Sequence, residues 1–391
     1  MVGDAQFQDS CREILEGLIA CNSENPPGNE RIVADFVHER LIGWGIPSEV
    51  YAVESHRPNL VATITGLGPG KRLILQSHLD TKPAYATDNE RTAWLTDPFT
   101  ATAKGDRVYG LGACDTKGGV CSQLAAFHWL FEHRDSWRGE VVWQGVADEE
   151  NGSQFGAKVL LDLGLLKADA ACVAEPTEMN VSISQLGYAW MKIDITGCPS
   201  HAGMPELGID AVEVAFHLIG EINRQLAQVT QDNRFPGHPR LNVGRIQGGS
   251  HQGSVPGECE MWIDIRVFPG QRRKKYYDLV QAAVSKVELA TNSSMLAEPI
   301  LGGGCESNQI DPQNEWAQIL NSQLSKLDRS SRCEGFPGGT DARFFSHAGT
   351  PAVVFGPGSL RQAHSPNEFV PFTEVVLAAR VIATSAQKFL S

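Results

Sequence analysis

Five short stretches gather acids and imidazoles in spacings that could do chemistry: His78-Leu79-Asp80, Gly112-Ala113-Cys114-Asp115, Asp148-Glu149-Glu150, Ala174-Glu175-Pro176 and Ala363-His364-Ser365-Pro366. Singly, each has an ordinary explanation. Asp115 reads as the N-cap of a helix opening at Thr116, Glu149 and Glu150 as solvated charge at a strand end, and His364 as a loop histidine. Together they offer carboxylate oxygens and imidazole nitrogens without a thiolate, a donor set that a zinc-like divalent ion accepts. In His78-x-Asp80 an extended chain turns both side chains the same way. Asp80 can then accept from the ring nitrogen of His78 that does not face a metal, which fixes the tautomer. Adjacent Glu149 and Glu150 point apart if extended, so one can bind metal while the other handles a water. That split is the chemistry of metal-assisted hydrolysis, in which the ion lowers the pKa of a water to about 7 and a free carboxylate takes its proton.

Such residues need a frame that brings them together. Helical periodicity runs over 5–21 and 29–44, strand-like runs over 47–53, 59–65 and 72–77, then a helix over 116–133, a strand over 140–147, a helix over 153–163 and a strand over 170–174. This alternation predicts an α/β sheet with helices on its faces and ligands at the strand ends. Four of the five stretches follow predicted strands, so their acids can converge on one sheet edge. After Glu178 the rhythm changes to long amphipathic strands over 183–197 and 254–268 with helices over 208–229 and 271–288, which predicts an α+β insert. A helix over 313–327, a strand over 351–355 and a helix over 373–389 return to α/β character.

At 391 residues, two domains are expected. No run of 18 apolar residues predicts a membrane span, and the start MVGDAQFQDS lacks the basic and apolar segments of a signal peptide. Nine scattered cysteines with no C-x-x-C disfavour both a disulfide framework and a thiolate zinc site, and fit a reducing cytoplasm. A formal charge of −13 disfavours nucleic acid and anionic membranes as partners. Gly110-Leu111-Gly112 after strand-like residues begins like a dinucleotide-binding pattern, but Asp115 stands where a third glycine is needed, which excludes that reading.

The ordered segments HLD, GLGACDTKGG, DEENG, EPT, TGCPSHAG, SVPGEC, DIRVFPG, GGTDARF and GPGSLRQAHSPNEFV resemble the successive signatures of the di-zinc aminoacylase and carboxypeptidase family, in its acetylornithine deacetylase and succinyl-diaminopimelate desuccinylase branch. The resemblance runs from about Asn22 to Phe372. It implies an α/β/α sandwich catalytic domain with a mixed, mainly parallel sheet over 1–180 and 300–391, and an α+β, ferredoxin-like lid and dimerisation domain over 181–299. It implies two divalent ions, zinc with cobalt or manganese as alternatives, bridged by Asp115, one also held by His78 and Glu175 and the other by Glu150 and His364. Glu149 would be the general base, Asp80 the orienting acid, and His201 would reach a neighbouring subunit's site to stabilise the oxyanion. The implied activity is hydrolysis of a small N-acyl amino acid by a cytoplasmic homodimer, through a metal-bridging water. A dipeptidase or glutamate-type carboxypeptidase is the alternative, and a non-catalytic metal-binding homologue a different class.

Substrate contacts are less determined by the residues. The resemblance implies that Arg266 grips a substrate carboxylate, as a guanidinium fork can, while the residues alone let it simply pair with Asp264 on the same strand face. Gly338-Gly339-Thr340-Asp341 resembles the family's substrate loop, offering the Gly339 backbone and the Thr340 hydroxyl, although glycine turns need no ligand. Two positions depart from the family's pattern: Leu111 stands where an arginine is common, and Lys82 where an apolar residue is usual. Lys82 is either a solvated rim residue or a positive charge that favours an anionic substrate.

Overall fold

The strand Arg72–His78 is buried on both faces: Leu73 and Leu75 enter one apolar cluster and Ile74 another. Its neighbours repeat the division, with Val141, Trp143, Ala170, Cys172 and Val353 in the first cluster and Val142, Ala171, Val173, Ala352 and Val354 in the second. Continuous apolar runs of this kind belong to parallel strands covered on both sides. A computed structural model describes residues 5–85, 88–327, 329 and 333–391. Two units are distinguishable, Met1–Ile183 with Ile310–Phe336 and Thr340–Ser391, and Ser184–Gln309 with Pro337–Gly339.

The sheet of the first unit runs Ser48–Ala52, Pro58–Thr65, Glu140–Val146, Arg72–His78, Ala170–Val173, Ala352–Val354 and then Val181–Gln185, which meets it through Ser182 opposite Val354. The four strands from Glu140–Val146 to Ala352–Val354 are mutually parallel, and the strands outside them join antiparallel. One face is covered by the helices Ala5–Ala20, Arg31–Gly43, Gly118–Glu132, Glu315–Ser325 and Phe372–Phe389, the other by Ala157–Asp162 and Ala342–Ala348. The fold is thus the expected α/β/α sandwich with a mixed sheet. Polar pairs lie inside it: Gln76 Nε2 donates to Gln144 Oε1 at 2.9 Å, and Ser77 Oγ to Gln123 Oε1 at 2.8 Å.

The second unit has a four-stranded antiparallel sheet ordered Leu241–Gly248, Glu258–Val267, Gly187–Thr196, Ser294–Cys305. Helices Ala211–Leu226 and Arg273–Thr291 share its core, and the chain order β-α-β-β-α-β is ferredoxin-like. Asp210 caps the first helix by accepting from Val212 and Glu213 N–H at 2.9 and 3.1 Å.

Two expectations need correction. The strand expected over 183–197 is two, Val181–Gln185 and Gly187–Thr196. A return to the first unit at residue 300 is too early, because Ser294–Cys305 is an edge strand of the second sheet and the crossing comes at Ile310. The strands Leu241–Gly248 and Ser294–Cys305 were not legible, because each is a sheet edge and lacks clean alternation.

Candidate metal centre

The three central strands deliver their C-terminal ends side by side: His78 closes Arg72–His78, Glu149 and Glu150 follow Glu140–Val146, and Glu175 follows Ala170–Val173. Asp115 sits in the tight turn Ala113–Lys117 before the helix Gly118–Glu132, and His364 in the loop after Ala352–Val354. Asp115 does not cap that helix: Lys117 occupies the cap position. Its carboxylate instead has one oxygen toward each imidazole, Oδ1 at 3.1 Å from His78 Nε2 and Oδ2 at 3.3 Å from His364 Nε2. Glu150 Oε1 lies 3.1 Å from the same His364 nitrogen.

Ligand atoms of His78, Glu149 and Glu175 lie within 4.8 Å of one another, as do those of Asp115, Glu150 and His364. The donor set fits two hard or borderline divalent ions sharing Asp115. Electrostatics point the same way. Burial and then the Asp115 charge raise the Glu175 carboxyl well above its ordinary value. Burial and then Asp341 push Glu149 up to about 8. Among the described residues, no lysine or arginine pairs with Glu175. Buried acids that His78 and, for Glu149, Arg343 compensate only in part are what a bound cation would neutralise. Burial opposes ionisation of Asp115 too, but hydrogen bonds from His364 and His78 hold its carboxyl below the usual carboxylate range. Hydrogen bonds to Asp115 and Glu150 raise His364 to about 10.

Asp80 does more than orient His78. Its nearest tie to that ring is its own main-chain oxygen, 2.9 Å from Nδ1, with carboxylate Oδ1 at 3.5 Å. The carboxylate accepts from Glu149 and Glu150 N–H, both at 3.1 Å, and from Asn25 Nδ2 at 2.8 Å. Glu149 and Glu150 are not extended but lie in a short helical turn, Glu149–Asn151, so Asp80 and that turn set their directions rather than strand alternation.

Several supporting residues had no role assigned from the sequence, although Gly112, Asp148 and Glu368 lie within its motif stretches. Glu368, buried, accepts from Gly112, Cys114 and Asp115 N–H, each at 2.8 Å, and so shapes the turn carrying Asp115. Gly112 has φ +72°, and a Cβ there would lie 2.4 Å from Thr81 Cγ2. Arg57, Glu30 and Asp148 form a buried ion cluster, with Arg57 Nη2 2.6 Å from Glu30 and 2.9 Å from Asp148. Arg343 stands 3.8 Å from Glu149 and donates to the Ser153 hydroxyl at 3.0 Å. These partners come from distant segments, and only the GGTDARF stretch signalled Arg343.

The other candidates divide. Lys82 is turned onto Glu150, with Nζ 3.5 Å from Oε2 and a hydrogen bond to the Glu150 main-chain oxygen. Thr340 is fully buried. In the second unit, Arg266 pairs with Asp264 at 2.9 Å, as the plainer of its two readings expects. Gly339 packs on Tyr188 and Cys305, where a Cβ would approach to 2.9 and 3.0 Å. His201 is exposed, and its Nδ1 accepts from Gly203 N–H at 3.0 Å, leaving Nε2 to carry the proton of the neutral ring.

The family model for peptidase family M20/M25/M40 matches residues 74–388. The chain belongs to that family. It is 29% identical to the acetylornithine deacetylase of Myxococcus xanthus, over 97% of each chain. In fold it is similar to aminopeptidase PepT of Bacillus cereus, with TM-score 0.79, 18% identity and coverage of 98% and 99%. It is similar also to the YXEP protein of Bacillus subtilis, a dinuclear metal binding peptidase from the M20 family, with TM-score 0.75, 16% identity and coverage of 99% of each chain. Membership makes this chain a metal-dependent hydrolase of amide bonds acting on small amide substrates. No helix among the described residues is long and apolar enough to cross a membrane.

Proposed function

We propose that the chain removes the acyl group from a small N-acyl amino acid, in the manner of an acetylornithine deacetylase. The observation that carries this reading is Asp115 placed between two imidazoles, with Glu149 within reach of His78 and Glu175. The name of the Myxococcus relative favours a deacylase over a peptidase. His78, Asp115 and Glu175 would hold one divalent ion and Asp115, Glu150 and His364 the other; zinc, cobalt or manganese would polarise the scissile carbonyl and acidify a water. Glu149 takes the proton of the attacking water and passes it to the leaving amine nitrogen. Asp80 aims that carboxylate through the Glu149 N–H, and Glu368 holds the Asp115 turn. His201 of a second copy donates its Nε2–H to the developing oxyanion, so the second unit serves as lid and dimerisation surface. Arg266, Gly339 and Thr340 are the proposed substrate contacts; Arg266 would exchange Asp264 for a substrate carboxylate. The cytoplasm is the proposed compartment.

The test is a substrate panel on the chain loaded with zinc, cobalt or manganese, read by free amine release. N-acetyl, N-succinyl and N-formyl amino acids should be cleaved in preference to dipeptides. Preference for dipeptides makes it a peptidase, and no turnover of either set with metal bound makes it a binding protein.

A further inference from the structure

Lys82 does not project into open solvent beside the site. It sits on Glu150 from two sides, through the main-chain oxygen and through Oε2 at 3.5 Å. The Glu150 side chain is only 6% exposed, whereas that of Lys82 is 37% exposed. The ammonium therefore reaches a buried carboxylate from the rim of the cleft that also contains Thr81, Trp94, Leu111 and His364. The two candidate metal sites are not electrostatically alike. Glu150 carries Lys82 directly, whereas Glu175 has no lysine or arginine partner among the described residues and the nearest guanidinium of its group, Arg343, faces Glu149 at 3.8 Å.

We propose that Lys82 competes with a divalent ion for Glu150 and so makes the Asp115–Glu150–His364 site the weaker and more readily exchanged of the two. The inference rests on the two-ion reading above. With the ion bound, the ammonium must either stay near a doubly charged cation or withdraw toward solvent, and both oppose binding. Water at the rim screens the repulsion, so its size is on the order of tenfold in affinity rather than the many orders a dry interior would give. His78 and Glu175 belong to the other ligand group and neither pairs with Lys82, so their ion should be less affected.

The full chain, stripped by a chelator, is titrated with zinc against a chromophoric competitor at about 0.1 M salt, where the Debye length is about 10 Å. Wild type should take up two ions in unequal steps, and His364→Ala should lose the weaker. Lys82→Met should tighten the weaker step about tenfold and leave the stronger within about threefold, while Lys82→Arg keeps both near wild type. Lys82→Gln is the substitute if the methionine variant does not fold. An unchanged weaker step in the neutral variants, or equal tightening of both steps, overturns the inference while the two-ion reading stands. Fewer than two ions at saturation in wild type and Lys82→Met alike overturns both.

Discussion

Replacing Glu149 by glutamine separates its catalytic and stability effects with one isosteric change. In the metal-free chain burial and then Asp341 push this carboxyl from its ordinary 4.5 up to about 8. An unfolded chain releases the proton near 4.5, whereas the folded chain keeps it until about pH 8. Between those values the folded state binds more protons, so the contribution of Glu149 to stability falls as pH rises and is least favourable above pH 8. At about 1.36 kcal/mol per pH unit the gap sets a ceiling of roughly 5 kcal/mol, and relaxation around the charge leaves about 1–3 kcal/mol. Glu149→Gln should therefore raise the stability of the metal-free chain at pH 8.5 by about 1–3 kcal/mol, with little change at pH 4.5. The same variant should keep two ions and lose about 10²–10⁴ in kcat, the usual worth of a general base. Denaturant unfolding at both pH values, metal stoichiometry and amine release together test it. Turnover within about tenfold of wild type would remove Glu149 from proton transfer. An unaltered pH 8.5 stability would refute the electrostatic account of its site.

Glu368→Ala leaves three N–H groups of the Asp115 turn without their acceptor. It should cost about 1–3 kcal/mol of stability and about 10–100-fold in metal affinity, measured by unfolding and by competitive zinc titration. Arg57→Met strands the buried carboxylates of Glu30 and Asp148. Unfolding should show a loss of about 3–5 kcal/mol, and a loss under about 1 kcal/mol would refute the buried cluster as a stabilising contact. Mixing inactive His201→Ala and Glu149→Ala chains should restore part of the activity if a second copy supplies His201; no recovery after subunit exchange would place that histidine's action within one chain.

By itself the sequence determined the types of group and their places at strand ends. Apolar runs such as Arg72–His78 and Glu140–Val146 can be buried only as central strands, and His78, Glu149, Glu150 and Glu175 stand at or just beyond their ends. The acids and imidazoles there name metal-assisted hydrolysis because few other chemistries need that donor set. The tertiary structure decided how they are held. Asp80 orients Glu149 and Glu150 through backbone N–H groups, a role hidden because the contact spans 69 and 70 residues. Glu368 shapes the Asp115 turn across more than 250 residues, and the Asn25 amide joins Asp80 to Asp148. Local patterning encodes which face a residue takes within its own element, whereas a hydrogen bond between distant segments exists only after the sheet has brought their ends together. For the same reason Lys82 read as a charge at the mouth of a pocket until the fold set its ammonium against Glu150.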